Sequence, residues 1–362
     1  MNTGFWTALA IAVCFPVLFL TAFRIRKKPD LSTKSLVASL NGLRGLFAAE
    51  ILIGHATMQS GFGLPLDAYE KFLFASVGFF FFVSAFSMMQ SLKSRQSYFN
   101  GYWRKILFLI TAALISFFYD CIIAGITGTF DNYRSGGVLP VVFLKRTNWF
   151  IWELLIFYLA FYLCYRTYHK KKRRVLRCAA LFAVALAVMT TAYCLNTISA
   201  WYISTVAFPV GILLSEYCEA GKDKLFSGKG VLICVLLAGT GLVSIAPLPY
   251  GDSYLFAVIL HNVFVSGAVT AVLLFSAFLR KREKPAVIYR FLETHSLALY
   301  LSQFIFMRIS DCFGFGIFRR MITVVCGSIA SSVLLQPVYD KVKQITKKQS
   351  SRPPVLSGNE KQ

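Results

Sequence analysis

Charge is what this chain has least of. Asp, Glu, Lys and Arg make up 15% of its 362 residues, against about 25% in soluble proteins, while hydrophobic residues reach 57%. The shortage is one-sided, with 16 acidic residues against 38 basic ones and a net charge of +22. Histidines number four, and the nine cysteines stand singly with no C-x-x-C pair. Each scarcity excludes something. Neither a disulfide framework nor a metal site has the ligand spacing it needs. Nucleic acid is excluded as a partner, because the basic residues fall in short runs between apolar stretches instead of forming one face. Little length is left for a soluble domain, and no internal repeat is visible.

What the chain does have is a succession of apolar stretches. A membrane span needs about 20 such residues, and eleven candidates are placed at 5–23, 41–60, 71–92, 105–128, 148–166, 175–195, 200–217, 230–247, 254–279, 291–309 and 317–339. The pattern predicts an all-α, polytopic transmembrane helix bundle of 10–11 spans. No basic residue precedes the first stretch and Arg24, Arg26, Lys27 and Lys28 follow it, which predicts a retained helix with the N-terminus outside. Threading the spans alternately puts 30 of the Lys and Arg residues on one side and seven on the other, with Arg44 inside a span. The positive-inside rule assigns the crowded side, and with it the C-terminus, to the cytoplasm of a multi-pass plasma-membrane protein. The run His169–Arg174 lies on that side and reads as a solvated loop near anionic lipid. Three regions result: 1–35, a helix and basic inner loop; 36–340, the membrane domain; and 341–362, a disordered cytoplasmic tail rich in Lys, Gln, Ser and Pro. Phe79–Phe82, Trp149 and Trp152 are expected at the lipid and interfacial belt.

An ionisable side chain inside a membrane marks a functional site unless it is paired. Arg44 and His55 are eleven positions apart, about three helical turns, which puts them on one face roughly 16 Å apart. Glu50 points elsewhere on that helix. Asp120, Glu153 and His261 are expected at the outer level with His55, lining one cavity or satisfying local helix contacts.

The segment Leu40–Leu46 (LNGLRGL) followed by His55 resembles the opening of the acyltransferase family 3 membrane proteins, whose signature is an Arg and a His separated by ten residues. Gly78–Phe86 (GFFFFVSAF) is similar to the family's Phe-Phe-x-x-Ser-Gly-Phe stretch. Trp149–Tyr158 (WFIWELLIFY) resembles its Trp-x-x-x-Glu-x-x-x-Tyr helix, and Ser296–Gln303 (SLALYLSQ) its late Ser-x-x-x-Tyr-x-x-His helix. The resemblance covers about residues 36–340. Three positions depart from it. Ala85 replaces a Gly, the basic cluster after the third span is reduced to Arg104 and Lys105, and Gln303, which cannot titrate, stands where a His is usual.

The resemblance implies transfer of an acyl group, commonly acetyl from cytoplasmic acetyl-CoA, to a hydroxyl of a cell-surface glycan or lipid-linked sugar, with no metal. Arg44 then serves the donor. His55 moves the proton or carries the acyl group, Glu153 orients a partner, and Ser84, Tyr300 and Gln303 line the site. Arg104 and Lys105 grip CoA phosphates, with membrane lipid as the other partner for such residues. A secondary transporter or flippase for a lipid-linked sugar would use Arg44, Glu50 and His55 as substrate or proton sites. A relative that has lost catalysis would serve in assembly. The chain runs only about twenty residues past its last span, so acceptor recognition is expected from the outer loops, 129–147 being the longest.

Overall fold

The computed structural model describes residues 16–57, 65–128, 149–168, 173–194, 200–217, 232, 236 and 254–348. Residues 16–22 are helical and lead into β1 (Phe23–Ile25). The helices that follow are α1 (Thr33–Thr57), α2 (Pro65–Ser94), α3 (Trp103–Ile126), α4 (Trp149–Tyr165), α5 (Arg174–Cys194), α6 (Ala200–Ile203), α7 (Ala207–Tyr217) and α8 (Tyr254–Ser276). After β2 (Leu279–Lys281) come α9 (Val287–Cys312) and α10 (Ile317–Lys348). Among the described residues six helices are long and apolar enough to cross a membrane, and α4 and α7 are shorter apolar helices. The polytopic helical bundle stands. The expected span 230–247, apart from Leu232 and Leu236, and the loop 129–147 lie outside the described residues.

Contacts set the direction of each helix. α1 and α2 are antiparallel: Gly54 meets Leu73, Ser76 Oγ donates to Glu50 at 2.7 Å, and Phe47 stacks on Phe79 at 4.0 Å. Continuing that register brings Phe82 opposite Arg44, with Ser84 within one turn of it. α9 runs parallel to α1, since Tyr289 donates to the Gly42 carbonyl, Gly45 packs on the Glu293 backbone, and His55 lies 5.1 Å from the Phe304 ring. α7 runs parallel to α2, through Ser204 Oγ to the Phe74 carbonyl at 2.8 Å and Ser215 Oγ to the Phe86 carbonyl at 3.2 Å. Where helices touch most closely the residue is Gly. A Cβ at Gly45 would stand 2.8 Å from Glu293 N, and one at Gly211 would stand 2.7 Å from the Phe82 carbonyl oxygen. Lipid tails are as apolar as any side chain, so helices associate in a membrane through such close packing.

One end of the bundle gathers the basic residues. β1 and β2 pair antiparallel there, Arg24 opposite Arg280, and Ser39 at the start of α1 donates to the Leu279 carbonyl at 3.0 Å. At the same end Lys93 binds the Ser215 carbonyl at 2.5 Å, Arg174 lies 3.7 Å from Glu216, and Arg177 donates to the Thr167 carbonyl at 2.9 Å. At the other end stand Arg308, Arg319 and Arg320, where α9 finishes and α10 begins.

Several expectations are corrected. Phe79, Phe81 and Phe82 have no exposed surface and Trp149 is buried, so this run is protein core and not lipid contact. Among the described residues, α3, α5 and α10 leave broad apolar faces open, for example at Phe118, Leu186 and Leu334. α1 begins at Thr33, well before the apolar stretch, because helix length follows backbone hydrogen bonding beyond the hydrophobic core. α10 continues through Pro337 to Lys348, so residues 341–348 are helix where a disordered tail was expected. The span 200–217 is broken by a turn at Ser204–Val206. The short β-ribbon joins three-residue segments far apart in sequence, too short to show any periodicity.

Candidate active site

α1 is unbroken from Thr33 to Thr57, so Arg44 and His55 keep the separation of about 16 Å set by the helical rise. Arg44, Glu50 and His55 stay partly accessible, while Leu43, Gly45, Ala49, Gly54 and Ala56 beside them are buried. Arg44 and His55 line a space inside the bundle. Glu50 is turned away from it, toward Ser76 on α2.

Around Arg44 and His55 the other helices bring their polar groups in tiers. Level with Arg44, Tyr158 of α4 lies within electrostatic range of the guanidinium, and its hydroxyl reaches Ser84 of α2. The next tier holds Glu153 of α4, Thr205 of the turn before α7, and Tyr300 of α9, whose phenol faces the Glu153 carboxylate. One turn further along α9, the Gln303 amide faces the His55 ring. Beyond His55, Arg320 of α10 is in electrostatic range and is ion-paired to Asp311. Aromatic rings wall the column: Phe150 lies 5.1 Å from Tyr300, which lies 5.9 Å from Phe304.

The chemistry of this column lies in what it leaves open. Arg44 Nε, His55 Nδ1, both Glu153 carboxylate oxygens, the Tyr300 hydroxyl and both polar atoms of the Gln303 amide are buried without a well-formed hydrogen bond. Thr205 and Gln303 stand close enough to act on Glu153 and His55, but not in bonding geometry. Glu153 and Gln303 have no exposed surface at all. Each orphaned buried polar atom costs about 1–3 kcal/mol, and a cluster of them around one space is the signature of a site built for a polar ligand.

Six of the expected site residues therefore converge: Arg44, His55, Ser84, Glu153, Tyr300 and Gln303. Arg104 and Lys105 stand apart, at the basic end. Lys105 Nζ donates to the Tyr98 hydroxyl at 2.8 Å and lies 4.3 Å over its ring; burial holds that phenol well above its usual range, so it stays protonated. Arg104 covers Gly101, whose φ of 76° allows the turn into α3. A ladder of rings leads from there to the column. Tyr102 donates to the Tyr158 carbonyl at 3.0 Å, and Tyr98 and Tyr102 lie 5.9 Å apart.

Asp120 does not line the column; it is ion-paired to Arg308 at 2.5 Å. His261 is half-buried on α8. Sequence reading placed Tyr158 in a family-like stretch but assigned it no role, and missed Thr205. Thr205 had one visible signal, the Ser204-Thr205 pair interrupting an apolar run. Ala85 also acquires a reason, since its methyl carbon is 3.0 Å from where a Cβ on Gly211 would be. The glycine of this helix contact is supplied by α7 instead.

The acyltransferase family 3 model, described as an acyltransferase domain, matches residues 37–336. The chain belongs to that family, and it is a membrane protein of the acyltransferase class. No curated protein and no solved structure matches it.

Proposed function

We propose that this protein moves a short acyl group, acetyl first among them, from cytoplasmic acyl-CoA to a hydroxyl of an extracytoplasmic glycan or lipid-linked sugar. The observation that carries the reading is the column of unpartnered buried polar atoms between Arg44 and His55. The basic end of the bundle is cytoplasmic by the positive-inside rule, in the plasma membrane. Arg104 and Lys105 take the CoA phosphates at that end, and the pantetheine arm follows the Tyr98–Tyr102–Tyr158 ladder inward.

Arg44 holds the amide carbonyls of the donor's pantetheine arm with its donor fork, Ser84 and Tyr158 sit beside it, and the thioester end reaches past them toward His55. His55, deeper in the column, accepts the proton of the acceptor hydroxyl as that oxygen attacks the thioester carbonyl carbon. The C–S bond breaks as the C–O bond forms, and the proton passes to the departing thiolate, leaving CoA-SH and an ester. Gln303 cannot exchange protons, so His55 alone supplies the acid–base function at this level. The alternative use of His55, as transient acyl carrier, employs the same atoms in two steps.

Membranes containing the protein, incubated with labelled acetyl-CoA, are expected to transfer label to a glycan or lipid-linked sugar fraction. His55→Ala membranes with the same amount of inserted protein are expected to transfer none. Normal acylation by His55→Ala would sink the mechanism.

A further inference from the structure

The acyl-transfer chemistry leaves unused a break in the bundle where a span would be expected to run straight. Between α6 and α7 the chain leaves helical geometry at Ser204–Val206, although Ser204, Thr205, Ala207 and Phe208 have no exposed surface. In a membrane, backbone groups released by such a break must find partners inside the protein. Asn262 of α8 supplies them. Its Nδ2 donates to the Tyr202 carbonyl at 2.7 Å and the Val258 carbonyl at 3.0 Å, and its Oδ1 accepts from the Val206 N–H at 3.3 Å. Ser204 Oγ ties the other side to α2. No Gly or Pro lies within the turn, so it is held open by the Asn262 side chain of α8 and by its own Ser204 hydroxyl, bonded to the Phe74 carbonyl of α2.

What the break delivers is Thr205, placed beside the Glu153 carboxyl. Phe208 stacks on Phe157 at 4.7 Å and 9°, and Phe157 is one turn from Glu153 on α4, so the face of α4 that carries Glu153 is pressed against the start of α7. Across from it stands the Tyr300 phenol. A carboxylate with no exposed surface and two oxygens open, flanked by two hydroxyls, is built to accept hydrogens from neighbouring hydroxyls of a ligand. Tyr300 and Gln303 are three residues apart on α9, ~4.5 Å along its axis, about the width of a sugar ring. One hydroxyl held at Glu153 would thus leave another facing His55.

We propose that the Ser204–Val206 break is the acceptor-binding device of this protein: Glu153 and Tyr300 hold hydroxyls of a polyol acceptor, and Asn262 and Thr205 are positioning residues that act through Glu153. The inference rests on the acyl-transfer reading. Its test uses purified protein in lipid nanodiscs with acetyl-CoA and, as probe acceptors, octyl glucoside, octyl galactoside and octyl N-acetylglucosaminide. Thr205→Val and Asn262→Leu are expected to raise the glycoside KM about tenfold, with the acetyl-CoA KM unchanged and Thr205→Ser restoring the wild-type value. Thr205→Val preserves side-chain volume and remains informative where Asn262→Leu fails to insert. Equal rises in both KM values, or a fall in kcat with glycoside KM unchanged, would overturn the inference alone. Absence of transfer to every glycoside by the wild type would overturn the acyl-transfer reading and this inference with it.

Discussion

Two sets of polar residues share the interior of this bundle, and they are treated in opposite ways. Away from the column several charges are ion-paired: Asp120 with Arg308, Asp311 with Arg320, Lys281 with Glu293 at 2.6 Å. In the column between Arg44 and His55 the polar atoms face one another without closing their bonds. A membrane penalises an unmet polar group more than water does, so several of them gathered around one space point to function, where a single open atom such as the Tyr339 hydroxyl does not. Pairing, more than polarity, separates scaffold from site, and substitutions on either side of that line should differ in kind.

The largest effects are expected in the column. Arg44→Ala and His55→Ala should lower acyl transfer by about 10²–10⁴-fold without changing the amount of inserted protein or its melting temperature in detergent. If either variant lost activity only in proportion to its lost stability, the distinction would break. Next comes the paired set. Asp120→Ala leaves Arg308 without its closest counter-charge and should cost about 3 kcal/mol of stability, seen as a lower Tm, while the remaining folded protein keeps its kcat. Removing both charges as Asp120→Leu with Arg308→Leu should recover most of that loss.

A smaller effect tests the packing that holds the column's walls. A methyl group at Gly45 would meet the Glu293 backbone, which a side-chain rotation cannot relieve. Gly45→Ala should therefore cost about 1–3 kcal/mol by thermal melting and displace α9 from α1. The smallest effect is at the surface of the basic end, where Arg26 and Ser32 hold the Asp30 carboxyl well below the usual carboxylate range. A depressed carboxylate contributes stability above its unfolded value of about 4 and loses it as pH falls below that. Because the pair is exposed, Asp30→Asn should shift stability by under about 1 kcal/mol at neutral pH, and the difference from wild type should vanish in acid.

The same comparison explains what the sequence makes legible. The alternation of basic loops with apolar stretches defines a bundle with one basic end, because charge placement is itself the signal. Arg44 and His55 are legible because helical periodicity puts an eleven-residue spacing on one face. Glu153 is legible as a charge inside a span, while Tyr300 and Gln303 are legible only through resemblance to a family, since no local pattern ties them to Glu153 on a distant helix. The Phe79–Phe82 run misleads for a physical reason: a side chain facing lipid and one facing another helix see equally apolar surroundings, so composition does not tell them apart. Thr205 and Asn262 act through a turn created by tertiary contacts, and the local sign of it is no more than the Ser204-Thr205 pair in an apolar run. The helix ends at Thr33 and Lys348 lie beyond the apolar core, where hydropathy is silent and hydrogen bonding continues.

The most direct test compares the acyl content of cell-envelope glycans, by mass spectrometry, in cells lacking the protein and in cells expressing wild type, His55→Ala or Asp120→Asn. The account predicts a mass increment of one acyl group with wild type, its retention with Asp120→Asn, and its loss with His55→Ala. An increment that persists in His55→Ala, or that disappears equally in both variants at equal protein levels, would contradict the assignment of the open column as the site of chemistry.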